Sequence, residues 1–428
     1  MKALVRIALA CVVVALVAAC AQPAPTATPV PQQPAATSAP QATAKPTEAP
    51  KPTEAPKPTV APTLTADEAW LKAAELGKYA PAKQDWAAIE AAARKEGKVV
   101  VYSDSSRIAD VKAAFEKKYP GITVEGYDLG GDDILVKTRE EQKSGAFVED
   151  VWFSSSGSGE VVQELVPKHY LWPFIPDFLA SVVPASAQQP LLVSRYGVRV
   201  LGYNTQLNPN GCPITNWWQL TEPEYKGKVF IEDPLNDAST MAILTTIASH
   251  ANELAAAYKE RYGKDPVLDP DTPDAGWLWV KKFAQNAPGL KSSGGDVVSA
   301  FASLGMKEAG VGFTSYSKYR DVINGKLAFD ACKGCKPVIG VQTACYIGIA
   351  NRAPHPNAAK LFINFVSTEE GFKPWAVVGD YSPRTDWASP KGAIPYSELS
   401  KYVWTIDESY VYKNITKMRD FWAMSLLK

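Results

Sequence analysis

The spacing of apolar positions changes along this chain, and each change marks a boundary. An unbroken run of thirteen apolar residues, Ile7 to Ala19, follows Lys2 and Arg6. From residue 21 to 64 apolar clusters and aromatics vanish, and twelve of these forty-four residues are Pro. Periodic patterns begin after that. Thr65-Ala66-Asp67-Glu68 has the form of a capping box ahead of Trp70, Leu71 and Leu76. Asp85 to Glu96 reads as a second helix, closed by Gly97 where a left-handed cap is wanted. Lys98–Tyr102 (KVVVY) reads as a buried strand, followed by the loop Ser103–Ser106. Asp110–Lys118 carries Val111, Ala114 and Phe115 at helical spacing and is broken by Pro120-Gly121. Ile122–Tyr127 is then a strand, Asp132–Lys143 a helix and Val151–Phe153 a strand. Strands alternating with helices predict an α/β fold around a mostly parallel sheet.

Composition sharpens the two N-terminal segments. A basic start, a short apolar run and the small residues Val17-Ala18-Ala19 before Cys20 describe a secretory signal, too short to span a bilayer. The Cys placed there resembles a bacterial lipobox, so residues 1–19 are expected to be removed and Cys20 lipidated. Residues 20–64 then form a stalk. Proline fixes φ and removes donors, and nothing there offsets the entropy of ordering. Lys45–Pro50, Lys51–Pro56 and Lys57–Pro62 are tandem six-residue units, and at 3.1 Å per residue the stalk could reach roughly 130 Å. The remaining 65–428 region is long enough for two globular units. Lys plus Arg and Asp plus Glu are equal at 45 each, which leaves no electrostatic footprint for nucleic acid.

Several segments carry a resemblance. Glu96–Ser103, Phe115–Val124, Glu149–Trp152, Tyr203–Thr205, Trp217–Leu220 with Pro223–Val229, Gly348–Ala350 and Ala353–Phe362 follow in one order over about 300 residues. Together they resemble ABC-transporter extracellular solute-binding proteins of the ferric-iron-binding-like group, the class II periplasmic-binding-protein-like type. The resemblance implies a two-lobed fold, each lobe a mixed, mostly parallel sheet flanked by helices, with a ligand cleft between the lobes. Lobe 1 would hold roughly 97–196 and 338–374, and lobe 2 roughly 197–337 and 375–428. It also implies a monomer that captures a small molecule or ion and passes it to an ABC permease. The protein would sit on the extracytoplasmic face of the cell membrane, held by the lipid on Cys20, and would need no cofactor.

In open parallel sheets ligands sit beyond the carboxyl ends of strands, near helix N-termini. That singles out the loops Ser103–Ser106, Ser154–Ser158, Asp233–Thr240 and Thr314–Tyr319. Ser103, Ser105, Ser106, Ser154, Ser155 and Ser156 offer hydroxyls for a polar or anionic solute, although serines also cap helices. Asp233, Tyr203, Tyr316 and Tyr319 are further candidates. Ferric iron is the alternative ligand, with Tyr203, Tyr316 and Tyr319 as its donors. The family's paired tyrosines appear here as Tyr316-Ser317, its first-loop His aligns near Ser106, and its Glu near Ser155. His169, His250 and His355 lie outside the candidate loops, so the iron ligand set is incomplete and a small polar or anionic solute is expected. Arg384, in the turn Tyr381–Asp386, could fork onto a carboxylate or phosphate, or pair with Asp386. Trp152 and Tyr316 could wall an organic ligand.

Beyond the leader, Cys212, Cys332, Cys335 and Cys345 remain, an even number that favours two disulfides with three possible pairings. Cys332–Cys335 with Cys212–Cys345 is the preferred pairing. Zinc on these residues and His355 is disfavoured by their spacing. An exported hydrolase is the rival function. Gly157-Ser158-Gly159 is not a nucleophile elbow, however, and three scattered histidines leave a Ser–His pair without support.

Overall fold

In the computed structural model, residues 64–155, 158–377, 379–389 and 392–427 are described. The expected signal, Cys20, all but the last residue of the stalk, and Ser156 lie outside them. The first half runs α1 (Ala66–Ala73), α2 (Trp86–Glu96), β1 (Lys98–Ser103), α3 (Ile108–Lys118), β2 (Thr123–Asp128), α4 (Gly131–Ser144), β3 (Val151–Ser155), β4 (Leu171–Trp172) and the long β5 (Leu192–Asn204). Next come β6 (Val229–Glu232), α5 (Ala238–Ser249), α6 (Ala251–Tyr262), α7 (Ala275–Gln285), β7 (Gly289–Lys291), α8 (Gly294–Ala302), β8 (Val311–Ser315), α9 (Tyr319–Ile323) and β9 (Phe329–Ala331). A second long strand, β10 (Gly340–Ala350), leads to α10 (Pro356–Val366), α11 (Glu369–Ala376), α12 (Tyr396–Leu399), β11 (Val403–Thr405) and α13 (Glu408–Leu426).

Local chemistry sets several of these boundaries. The Thr65 hydroxyl accepts from the Glu68 N–H while the Glu68 carboxylate accepts from the Thr65 N–H, closing the capping box. Asp85 caps α2, and Gly97 ends it at φ 76°, a left-handed conformation that glycine adopts without a Cβ clash.

The strands form one mixed sheet in the order β2-β1-β3-β10-β5-β8-β6-β7, with β4 and β11 on β10 and β9 on β5. The outer pairs β1–β2, β1–β3, β6–β7 and β6–β8 are parallel, whereas β10 is antiparallel to both β3 and β5. The two halves share a continuous sheet instead of holding one each, because β5 and β10 run through both cores. The first core gathers Val101, Phe115, Phe153, Leu192, Ile347 and Phe362; the second gathers Val200, Trp217, Trp277, Phe313, Val341 and Trp422. Tyr196, part-way along β5, packs against both. We call these halves lobe 1 and lobe 2. Among the described residues no helix is long and apolar enough to cross a membrane.

The cysteines pair differently from the expectation. The disulfide joins Cys212 to Cys332, with Cα atoms 5.0 Å apart, while Cys335 and Cys345 are buried free thiols. Cys345 lies in the lobe 1 stretch of β10, whereas Cys212 packs on the lobe 2 core, so the two belong to different halves. Cys335 sits beyond a turn with Gly334 at φ 79° and directs its Sγ toward the Lys336 carbonyl. Burial pushes both thiols up to about 12. Non-reducing peptide mapping is expected to recover Cys212 and Cys332 in one linked pair. Replacing both by Ala should cost up to about 5 kcal/mol by chain entropy, read as a lower denaturation midpoint.

Lobe 1 also buries a carboxylate pair behind β1. Asp150 accepts from the backbone N–H of Val100 and His355 and sits 2.8 Å from His355 Nδ1. Neighbouring Glu149 receives the Thr138 hydroxyl on one oxygen and has no hydrogen-bond partner on the other among the described residues. Burial, with the Glu141 and Asp150 charges adding, pushes Glu149 up to about 8. The folded state therefore holds this proton more tightly than the unfolded chain. Its contribution to stability is complete below the ordinary carboxylate range and is lost as pH rises toward 8. Glu149→Gln, neutral at every pH, is expected to melt higher than the parent at pH 9 and to lose that advantage by pH 5.

Candidate functional site

A cavity of about 510 Å³ opens between the lobes. Lobe 1 contributes Asp104 after β1, Gly130–Asp133 at the start of α4, Trp152 and Ser155 on β3, and residues 158, 160 and 161. Lobe 2 faces them with residues 236–239 at the start of α5, and Thr343 of β10 completes the lining from the crossing strand. Parallel neighbours β1 and β3 both end here, as expected for a sheet whose strand carboxyl ends face the ligand. The α4 terminus lies against β3, with the Cβ position of Gly131 3.8 Å from Ser154 Oγ, an ordinary contact. Gly130 supplies no side-chain cap, so no side chain of its N-cap residue satisfies the first amides of α4. On the opposite wall the Asp237 carboxylate accepts from the Thr240 N–H, 2.6 Å, and caps α5.

Asp104 organises the lobe 1 wall. One of its oxygens accepts from the Ser155 N–H (2.6 Å) and the Ser154 hydroxyl (3.1 Å), and the other from Arg195 Nη2 at 3.1 Å. Arg195, on β5, also reaches Asp380 at 3.4 Å. Arg199, four residues on, pairs with Glu232, donates to the Thr240 hydroxyl (3.0 Å) and lies 3.6 Å from Asp237. Burial raises the Glu160 pKa, and the Asp132 and Glu164 charges push the same way against Arg139. Trp152 is 2% exposed, and its indole N–H has no hydrogen-bond partner among the described residues.

At the rim the lobes touch. Gly159, at φ 84°, lies so close to α13 that a Cβ would collide with the Glu408 carbonyl oxygen. Gln163 Nε2 donates to Ser409 Oγ across the same contact, 2.7 Å. Glu408 accepts from the Tyr346 hydroxyl (2.8 Å), and burial pushes its carboxyl up to about 7.

Of the residues picked from sequence, Ser155 lines the cavity and Ser154 braces Asp104. Ser103 Oγ accepts from the Ser105 N–H, and Ser105 Oγ accepts from the Trp375 indole N–H, so these two finish a turn. Ser106 is exposed, and its carbonyl receives the Ala109 N–H at the start of α3. Asp233 holds the loop before α5 by accepting from the Leu235 N–H and Asn236 Nδ2. Tyr203 is buried in the same lobe 2 core as Tyr316, and the Tyr316 and Tyr319 rings lie tilted to each other with centroids 5.4 Å apart beside Phe329; none of the three lines the cavity. Burial raises the pKa of Tyr203 and Tyr316, which opposes the phenolate that a ferric ion needs. Arg384 forks onto Asp386 (2.9 and 2.6 Å), donates to the Ser367 carbonyl and covers the Trp387 ring. It borders a separate pocket beside Phe372, Tyr381 and Tyr396. The sequence reading passed over Gly130–Asp133, Glu160 and Thr343; a Gly-Gly pair followed by two Asp at a helix start was the available signal.

Residues 110–397 match the model of the bacterial extracellular solute-binding protein family. The chain belongs to that family. Its members bind solutes, so this solute-binding protein is not an enzyme. Iron-bound HitA from Pseudomonas aeruginosa superposes with a TM-score of 0.58 at 15% identity, over 77% of this chain and 99% of that one. AfuA from Actinobacillus pleuropneumoniae, a periplasmic binding protein holding fructose-6-phosphate, gives 0.58 at 16% over 77% and 99%. The substrate-binding protein of an ABC transporter from Agrobacterium tumefaciens gives 0.55 at 14% over 77% and 94%. At these identities the likeness establishes the two-lobed fold. No curated protein matches the sequence.

Gly159→Ala is expected to force the rim apart, so that small-angle scattering reports a more open molecule. Gly263→Ala is the control, with φ 72° but nothing within 4 Å of its Cβ. It should cost only the left-handed strain of about 1 to 2 kcal/mol and leave the shape unchanged.

Proposed function

We propose that this protein is the capture component of an ABC importer, taking a small polar solute between its lobes and presenting the closed form to a membrane permease. The observation that carries the reading is the cavity itself. Its walls come from opposite lobes, two helix N-termini meet across it, and a crossing strand completes its lining. A solute that touches both walls favours the state in which they are close, which is all that ligand-driven closure requires. Affinity then comes from converging hydrogen bonds in a partly desolvated space, with no covalent step. Lipidation at Cys20 and the Pro-rich stalk would keep the binder at the extracytoplasmic face while giving it reach to a permease. It would act as a monomer.

The test is a thermal-shift screen on purified protein first stripped of carried-over ligand. The panel comprises ferric citrate, phosphate, sulfate, phosphonates, thiamine, polyamines and sugars. A true ligand at a hundred times its dissociation constant adds about 2.7 kcal/mol, a shift of several degrees. The shift should vanish in Ser239→Trp, which fills the cavity from the α5 side. A shift that survives that substitution would place binding elsewhere.

A further inference from the structure

The contact between the lobes is built around a carboxyl group. Residues 158, 160 and 161 line the cavity, and the stretch that carries them meets the start of α13. Val161 and Leu165 belong to the lobe 1 core and Val411 to the lobe 2 core, so this contact crosses from one core to the other. Gly159 lies on the Glu408 carbonyl, and Gln163 donates to Ser409. The Glu408 side chain reaches into lobe 1, where Oε1 accepts from the hydroxyl of Tyr346 on β10 at 2.8 Å. Its Oε2 is buried and has no hydrogen-bond partner among the described residues.

The groups around Glu408 divide by lobe. Asp407 and the positive end of α13 belong to lobe 2 and act on Glu408 whether or not the lobes touch. Gly159, Glu160 and Tyr346 belong to lobe 1 and reach it only through the contact. Of these, the Glu160 charge opposes ionisation of Glu408, while the Tyr346 hydroxyl favours the anion. Asp132 and Glu164 add negative charge beside Glu160. The Arg139 guanidinium, which works the other way on Glu160, is itself forked onto Glu164, and Lys168 pairs with Glu164 too. Joining the lobes therefore brings a second carboxylate toward Glu408 and takes one of its oxygens out of water.

We propose that this contact is a proton-gated latch: the lobes come together on a neutral Glu408 carboxylic acid, and loss of its proton parts them. With the lobes apart, water reaches Glu408 and it titrates in the ordinary carboxylate range. In the contact, burial is the main cause that pushes the carboxyl up to about 7. The joined state thus holds the proton more tightly than the parted one. Its advantage is complete below the ordinary range and is lost as pH rises through about 7. From the ordinary value of 4.5 to about 7, the ratio of joined to parted molecules falls by up to roughly 300-fold. A solute that favours joined lobes would be held more tightly in acid and released as the pH rises. That consequence rests on the receptor reading above; the latch itself does not.

The test measures the distance between the lobes in the purified full chain with no solute present. Spin labels go on cysteines introduced by Lys143→Cys in lobe 1 and Lys413→Cys in lobe 2, both exposed positions, while the native free thiols are buried. Pulsed electron resonance is expected to show the ratio of short to long distances falling at least about tenfold between pH 5 and pH 8.5. Glu408→Gln should abolish that response while circular dichroism shows an intact fold. Tyr346→Phe removes a donor to the anion, so its midpoint should move to higher pH. Gln163→Ala should lower the joined fraction equally at every pH and leave the midpoint in place. Distances that do not change with pH overturn the latch, and so does a response that Glu408→Gln retains or a midpoint that Tyr346→Phe leaves unmoved or lowers. Each of these failures leaves the receptor reading standing, because that reading is decided by the solute panel.

Discussion

The antiparallel pairing of β5 with β10 is the constraint on which the rest of the molecule depends. It runs from Leu192–Ile347 in lobe 1 to Val200–Gly340 in lobe 2, so one ladder holds two cores in a fixed lateral relation. A slip of one residue would turn every side chain on these strands to the other face. Arg195 and Arg199 would then leave the cleft walls, and Thr343 would leave its lining. The ladder shifts register between Cys345 and Tyr346, on the lobe 1 side of the crossing. Gly340 admits the close approach at the other end, where a Cβ would collide with the Arg199 carbonyl. Shape and electrostatics of the site are therefore set by the same backbone hydrogen bonds.

On this frame the protein places carboxylates where helix dipoles can hold them. Asp132, Asp133 and Asp237 each sit at a helix start, the position in which a negative charge is least costly. The arginines of β5 then fix the two walls from behind: Arg195 ties Asp104 to Asp380, and Arg199 ties Asp237 to Glu232. Such walls are acidic and are braced by the protein's own ion pairs. That is a pre-organised arrangement, in which binding spends little on ordering side chains.

Much of the fold was legible because its instructions are local. Thr65 with Glu68, Asp85 with Gly97, and the KVVVY run each carry their own physical reason for a cap, a stop or a strand. The loops after β1 and β3 and before α5 were reachable by the rule on strand ends. What the sequence hid was non-local. The sign of the cleft depends on knowing that Arg195 and Arg199 are already engaged and that Glu160 comes near Asp132. Serine hydroxyls suggested a neutral or anion-tolerant lining, yet Ser103 and Ser105 are consumed in a turn. Tyr316 and Tyr319 offered metal donors by type, and packing beside Phe329 places them away from the cavity. Cysteine pairing failed for the same reason, since count and spacing do not say which core each thiol joins.

That pairing has a mechanical side. Cys212 and Cys332 both belong to lobe 2, so their bond ties together a single core and does not cross to the other. A bond from Cys212 to Cys345 would have stapled the two halves to each other. The redox state of Cys212 and Cys332 therefore bears on the stability of lobe 2 and not on the contact between the lobes.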